Sequence, residues 1–149
     1  MSALTATVEP TAEPADETAV VLRIRNETGA PVDVLNPDLG RPAEDRGWPF
    51  SVEAYRTAML MSFGFLTITV RDESGDQLEQ EPVSTWSTPF VRPAVSLAPG
   101  ASMDVVIPLA PFFALVPGAV YGVRVEYGDA SKVAAEGTVR HPPDAPPVR

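Results

Sequence analysis

The side chains that most often carry out chemistry are nearly missing from this chain of 149 residues, which has no cysteine, one histidine (His141) and one lysine (Lys132). A thiol nucleophile is impossible, and a zinc site of the usual imidazole and thiolate type would have to be built around one ring. A Ser-His-acid triad could draw only on His141, which opens the run His-Pro-Pro-Asp-Ala-Pro-Pro-Val-Arg, where nothing local would orient its ring. Schiff-base chemistry has only Lys132, in the turn-like stretch Gly-Asp-Ala-Ser-Lys, where desolvation of the amine is not expected. Carboxylates are abundant, and Asp38, Glu44, Asp45 and Glu53 lie close enough in sequence to suggest an acid-base pair, although an acidic loop is ordinarily just solvated. Asp72, Ser74 and Asp76 alternate like calcium ligands, but no bidentate Glu follows at the twelfth loop position, so a β-turn explains them better. Met59, Met61 and Met103 sit in apolar runs and read as core rather than as copper ligands. The expectation is a chain without catalytic residues, metal or cofactor.

The formal charge of −9 disfavours nucleic acid, because phosphate binding needs clustered cations and the ten arginines here are scattered singly. The longest nearly apolar stretch, Ala58 to Leu66, is about half of the roughly 18–20 residues of a spanning helix, so no membrane partner is expected. The N-terminus lacks a basic start and an apolar h-region, and cysteine is absent; both point to the cytoplasm, although a mature secreted domain would look the same. Length and a 44% hydrophobic composition fit one folded domain over 1–140, with 141–149 as a flexible proline-rich tail.

Strand-like alternation dominates the rest. Leu4 to Val8 alternates and stops at Pro10, as an edge strand would. Val20, Leu22 and Ile24 alternate with Arg23 and Arg25, and the turn Asn26-Glu27-Thr28-Gly29 then leads into Pro31 to Leu35, which together read as a hairpin. The same Asn26 triplet matches a glycosylation acceptor, but the turn reading is preferred. Leu66, Ile68 and Val70 alternate up to the polar turn 72–76, and a strand bent at Pro93 runs to Leu97. Met103, Val105, Ile107 and Leu109 share a face, Pro111 to Leu115 reads as a single helical turn, and Tyr121, Val123, Val125 and Tyr127 mark a central strand. Ala134 to Val139 can form the last one. These elements imply an all-β fold, an immunoglobulin-like two-sheet antiparallel sandwich of about seven to nine strands, with a long loop or short helix at 36–62.

Three segments carry a resemblance: Asn26-Glu27-Thr28-Gly29-Ala30-Pro31-Val32, Thr69 to Gly75, and Leu97-Ala98-Pro99-Gly100 followed by Pro117-Gly118-Ala119-Val120-Tyr121. In this order they resemble small bacterial immunoglobulin-like accessory domains. More narrowly, they are similar to the non-catalytic domain that precedes deuterolysin-type peptidases and to intracellular proteinase inhibitors of sandwich fold. The resemblance implies a non-catalytic accessory module, and no peptidase activity follows, since the chain has no His-Glu-x-x-His.

The run Ala58 to Leu66 is apolar on both alternating faces, so if it is a strand its second face needs a cover: the proline-rich loop with Trp48 and Phe50, or a second copy of the chain. Aromatic and methionine side chains are enriched at interface cores, which makes Trp48, Phe50, Tyr55, Met59, Met61, Phe63 and Phe65 the candidate contact residues. The functional expectation is a protein-interaction module or homodimer. The alternatives are an inhibitor-like binder using the 38–50 loop, a structural oligomer subunit, and a hydrolase working with carboxylates alone.

Overall fold

In a computed structural model of the chain, residues 4–10, 18–37, 52–81, 94–128 and 132–141 are described. They form eight strands and one helix: β1 (Leu4–Pro10), β2 (Ala19–Asn26), β3 (Val32–Leu35), α1 (Val52–Ser62), β4 (Leu66–Arg71), β5 (Ala94–Leu97), β6 (Ser102–Pro108), β7 (Val120–Gly128) and β8 (Lys132–Arg140). The fold is all-β and sandwich-like. Two three-stranded antiparallel sheets, in the orders β1-β2-β6 and β4-β7-β8, are joined by a two-stranded ribbon, β3-β5.

Alternation in sequence becomes inside and outside in the fold, because successive strand side chains leave on opposite faces. Val20, Leu22 and Ile24 of β2, with Val105 and Ile107 of β6, are buried against Ile68 and Val70 of β4 and Tyr121, Val123, Val125 and Tyr127 of β7. As expected, β7 is central and β1, ending at Pro10, is an edge. Phe112 and Phe113 close one end of the core, with both amides donating to Leu109 O (2.9 and 3.0 Å), the single turn anticipated there.

The two flanks of the sandwich are sealed differently. On one flank β1 lies directly against β8, so close that a Cβ on Gly137 would fall 2.3 Å from Val8 O and 3.1 Å from Val8 C. On the other flank α1 packs against both β6 and β4. That position explains its composition. A helix between two sheet edges is covered on most sides, and Ala54, Tyr55, Thr57, Ala58, Met59 and Leu60 are all buried. Thr57 and Ser62 satisfy their hydroxyls on the carbonyls four residues back (2.8 and 2.7 Å). A Schellman motif ends the helix: Phe65 N donates to Leu60 O and Gly64 N to Met61 O, with Gly64 in the left-handed region (φ 79°) that only glycine enters freely.

Of the stretch 36–62, expected as a long loop or short helix, residues 52–62 are helix α1, and the extended reading of Ala58 to Leu66 is corrected: the run is divided between α1, its cap and β4. Its two apolar faces are not two faces of one strand. The expected hairpin of β2 with β3 is also corrected. β2 pairs with β1 and β6, whereas β3 pairs with β5, so the turn at Asn26 carries the chain from one sheet to the ribbon. Asn26 is completely buried at this corner and donates both amide hydrogens, to Ala30 O and Leu97 O (each 2.8 Å), while its Oδ1 accepts from Thr28 N and Thr28 Oγ1. With its nitrogen so committed, Asn26 serves as a structural corner and offers no glycan acceptor in the folded chain.

Candidate functional site

The single histidine is built into the fold, which corrects the reading of position 141 as the start of a tail. His141 is 4% exposed; its backbone N donates to Ala119 O, its O accepts from Gly118 N, and its Nδ1 shares a 2.6 Å hydrogen bond with Thr18 Oγ1. Thr18 in turn offers its carbonyl to Leu109 N (2.7 Å). Burial pushes the imidazole pKa below its usual value, favouring the neutral ring. The ring thus clamps the start of β2 to the end of β8. Residues 142–149 lie outside the described residues. Lys132 opens β8 rather than sitting in a turn, and its Nζ donates to Gly64 O (2.8 Å) across the sheet end.

The seven residues singled out as an interaction surface separate into groups. Trp48 and Phe50 lie outside the described residues, as do Asp38, Glu44, Asp45 and the 38–50 loop. Tyr55, Met59 and Phe65 are buried in the chain's own core and offer no surface to a partner. Met61 and Phe63 are half-buried and pack against that core, with the Phe63 and Phe65 rings 6.2 Å apart. The apolar excess is therefore largely consumed internally. The turn at 72–76 is the expected one: Asp72 Oδ1 accepts from Ser74 N and Asp76 N (2.9 and 3.0 Å), the side-chain-to-backbone bonding of an aspartate turn. Among the described residues, no group of three or more His, Asp or Glu side chains is placed to hold a metal ion.

A surface feature that periodicity does not reveal lies on the outer face of β4-β7-β8. Register places Thr69, Arg124 and Glu136 in one row across the three strands and Arg71, Gly122 and Thr138 in the next. With no side chain at Gly122, the centre of the second row is a notch. These residues, with Gln77 beside Arg71, line an open hollow of about 700 Å³. Arg124 Nη1 meets Glu136 Oε1 at 3.2 Å, and Arg71 Nη1 donates to Gly75 O at the same distance. Glu136 is the one carboxylate among the described lining residues.

No protein-family model matches the chain. No curated protein matches it either. The two outer faces of the sandwich differ in how their cations are paired. On β1-β2-β6 the cations are paired: Arg23 makes two bonds to Asp104 (2.9 and 3.2 Å) and reaches Glu9 at 3.9 Å, while Arg25 meets Glu27 at 2.8 Å. On β4-β7-β8, among the described residues, Arg71, Lys132 and Arg140 form no ion pair. Among the described residues, no helix is long and apolar enough to cross a membrane.

Proposed function

We propose that the protein is a non-catalytic interaction module of immunoglobulin-like type that meets a protein partner through the outer face of β4-β7-β8. The observation that carries the reading is the hollow itself: open along the sheet and lined by Thr69, Arg71, Gln77, Arg124, Glu136 and Thr138, all exposed or half-exposed. A small substrate would leave most of its surface in water there, whereas ligand pockets bury the larger part of what they hold. A two-carboxylate mechanism also lacks support in the hollow, where Glu136 is the single acid among the described lining residues and is engaged by Arg124. Two features favour the immunoglobulin-like assignment. The orders β1-β2-β6 and β4-β7-β8 match strands A-B-E and C-F-G of such sandwiches, and Tyr121, near the start of β7, accepts a 2.7 Å hydrogen bond from Val116 N five residues upstream, as a tyrosine corner does.

The test is a photo-crosslinking side chain placed at Thr138 within the hollow and, as a control, at Thr7 on the outer face of the other sheet. The expected result is one discrete crosslinked species from native lysate with the first variant and none with the second. Equal crosslinking from both positions, or none from Thr138, overturns the reading.

A further inference from the structure

The two three-stranded sheets are bordered by β1 and β6 and by β4 and β8. Unpaired N–H and C=O groups along such an edge invite another strand, so folds ordinarily cover or interrupt them. Three of these four edges are blunted. β1 stops at Pro10, and its Val8 O is turned onto Gly137 of β8. β6 stops at Pro108, with α1 packed beside it. β4 is flanked by the same helix, and its last residues are met by Gln77 and Leu78, whose N donates to Val70 O (2.8 Å). β8 carries no such device. It runs nine residues without a proline, pairs with β7 residue for residue over that length, and among the described residues has no strand paired to its other side.

The backbone says which groups lie along that edge. His141 N donates to Ala119 O and Gly128 N to Phe65 O (each 2.9 Å), so the odd residues of β8 bond to β7 and the even ones turn away from it. Lys132, Ala134, Glu136, Thr138 and Arg140 therefore hold their N–H and C=O groups toward the open edge, with exposed side chains on the outer face. Charge alternates along them, positive at Lys132, negative at Glu136 and positive at Arg140. Two copies of this edge pair antiparallel about a twofold axis, and the charges select where the axis falls. At Glu136 it would oppose Glu136 to itself and Lys132 to Arg140, like charges throughout. An axis at Ala135 or Gly137 pairs no opposite charges. At Thr138 it sets Thr138 against Thr138 and, on both sides, Glu136 against Arg140, pairs that favour association. At Ala134 it would set Glu136 against Lys132, whose Nζ is already given to Gly64 O. Arg140 forms no ion pair among the described residues, and Glu136, beside Arg124, keeps 69% of its side chain exposed, so both can meet across the axis.

We infer that the chain forms a homodimer by antiparallel pairing of β8 with β8 about an axis at Thr138, which joins two sheets into one of order β4-β7-β8-β8-β7-β4. Main-chain bonds run between Glu136 and Arg140 and between the two Thr138 residues, and each Glu136 carboxylate lies between Arg124 of its own chain and Arg140 of the second copy. The inference goes beyond the partner reading and does not rest on it: the dimer is closed by the edge of β8, whereas a partner meets the face.

The experiment follows the mass of the purified full-length chain by sedimentation equilibrium from about 10 μM to about 1 mM. Salt is held at ~0.15 M, which screens repulsion between distant charges of two copies at −9 each. The mass should rise reversibly from one chain toward two. Glu136→Arg and Arg140→Glu each set like charges opposite one another on both sides of the axis and should weaken the dimer about tenfold. An equimolar mixture of these two variants restores both opposite-charge pairs and should recover the dimer. Thr138→Pro removes an N–H that points away from β7, so this variant should stay folded by circular dichroism and stay monomeric. A one-chain mass throughout, undiminished association of Arg140→Glu, or a mixture no more associated than its components overturns the inference, whether or not Thr138→Pro folds. A chain that stays monomeric while its Thr138 crosslink captures a different protein from lysate refutes the dimer alone; a dimer whose Thr138 captures no other protein refutes the partner reading alone.

Discussion

Gly137→Ala isolates the close approach that seals one flank of the sandwich. The new Cβ would lie 2.3 Å from Val8 O, 3.1 Å from Val8 C and 3.2 Å from Val8 Cγ1, so β1 has to retreat by about 1 Å to restore van der Waals contact. Two of those three atoms are backbone, and no rotamer change relieves them. Overpacking of this kind costs about 1–3 kcal/mol, and the upper part of the range applies because moving β1 also withdraws Val8, now 6% exposed, from the core. Replacing glycine by alanine separately stabilises by ~0.4–1 kcal/mol through the unfolded chain. Gly122→Ala shares that gain without the clash, so subtracting the two variants cancels the unfolded-state contribution. The expected difference is about 3 kcal/mol, or roughly 9 °C in Tm for a chain of this size, with Gly137→Ala the less stable. Thermal and urea unfolding followed by far-ultraviolet circular dichroism measure it. Tm values for the two variants within about 2 °C of each other would refute the close approach of β1 and β8. So would rescue of Gly137→Ala by Val8→Ala, because trimming a side chain leaves the carbonyl in place.

Asn26→Ala removes the partner of Leu97 O, Ala30 O and Thr28 N at a fully buried corner, and is expected to cost about 3 kcal/mol in urea unfolding. A loss near zero would mean that the corner holds without its amide. Tyr121→Phe leaves Val116 N without its acceptor and should cost about 1 kcal/mol, read as a small shift of the urea midpoint at unchanged slope. The His141 clamp predicts a pH dependence. Because burial lowers the folded pKa below the unfolded value of about 6.5, the unfolded chain binds the extra proton first. Stability is then full above about pH 6.5 and falls as the pH drops from there toward the folded pKa. His141→Asn should flatten the Tm profile between about pH 7.5 and 5.5, and an unchanged profile in that variant would exclude the clamp as its source.

The strands with one buried and one solvated face were legible because their period of two is written in single residues. In β7, Tyr121, Val123, Val125 and Tyr127 are buried and Arg124 is exposed, as the alternation demands. In β6, Val105 and Ile107 are buried while Asp104 and Val106 are exposed. Pairing was less legible. The turn residues of Asn26-Glu27-Thr28-Gly29 fit a hairpin locally, and what sends the chain to the ribbon instead is the bond from Asn26 to Leu97 O, 71 residues on. The placement of His141 has the same origin: the prolines after it read as a tail, while its ring is held by Thr18, 123 residues earlier. Tyr127 belongs to this class as well. Its hydroxyl donates to Leu35 O and joins β7 to β3, and burial raises its pKa so that it stays protonated. No window of neighbouring residues contains such contacts.

The candidate site was hidden for a different reason. Apolar excess is a visible signal, and it drew attention to Tyr55, Met59 and Phe65, yet a helix filling the gap between two sheet edges needs that excess for itself. A notch is a missing side chain, and one strand cannot show whether a glycine is required or spare. In sequence Gly122 and Gly137 are equivalent interruptions of alternating strands; in space one Cβ would strike a carbonyl and the other would stand in solvent. The distinction depends on which face of the sheet each residue occupies. Gly137 faces inward, where β1 supplies the reason for it. Gly122 faces outward, where a Cβ would meet no atom within 4 Å, so no contact among the described residues requires glycine there.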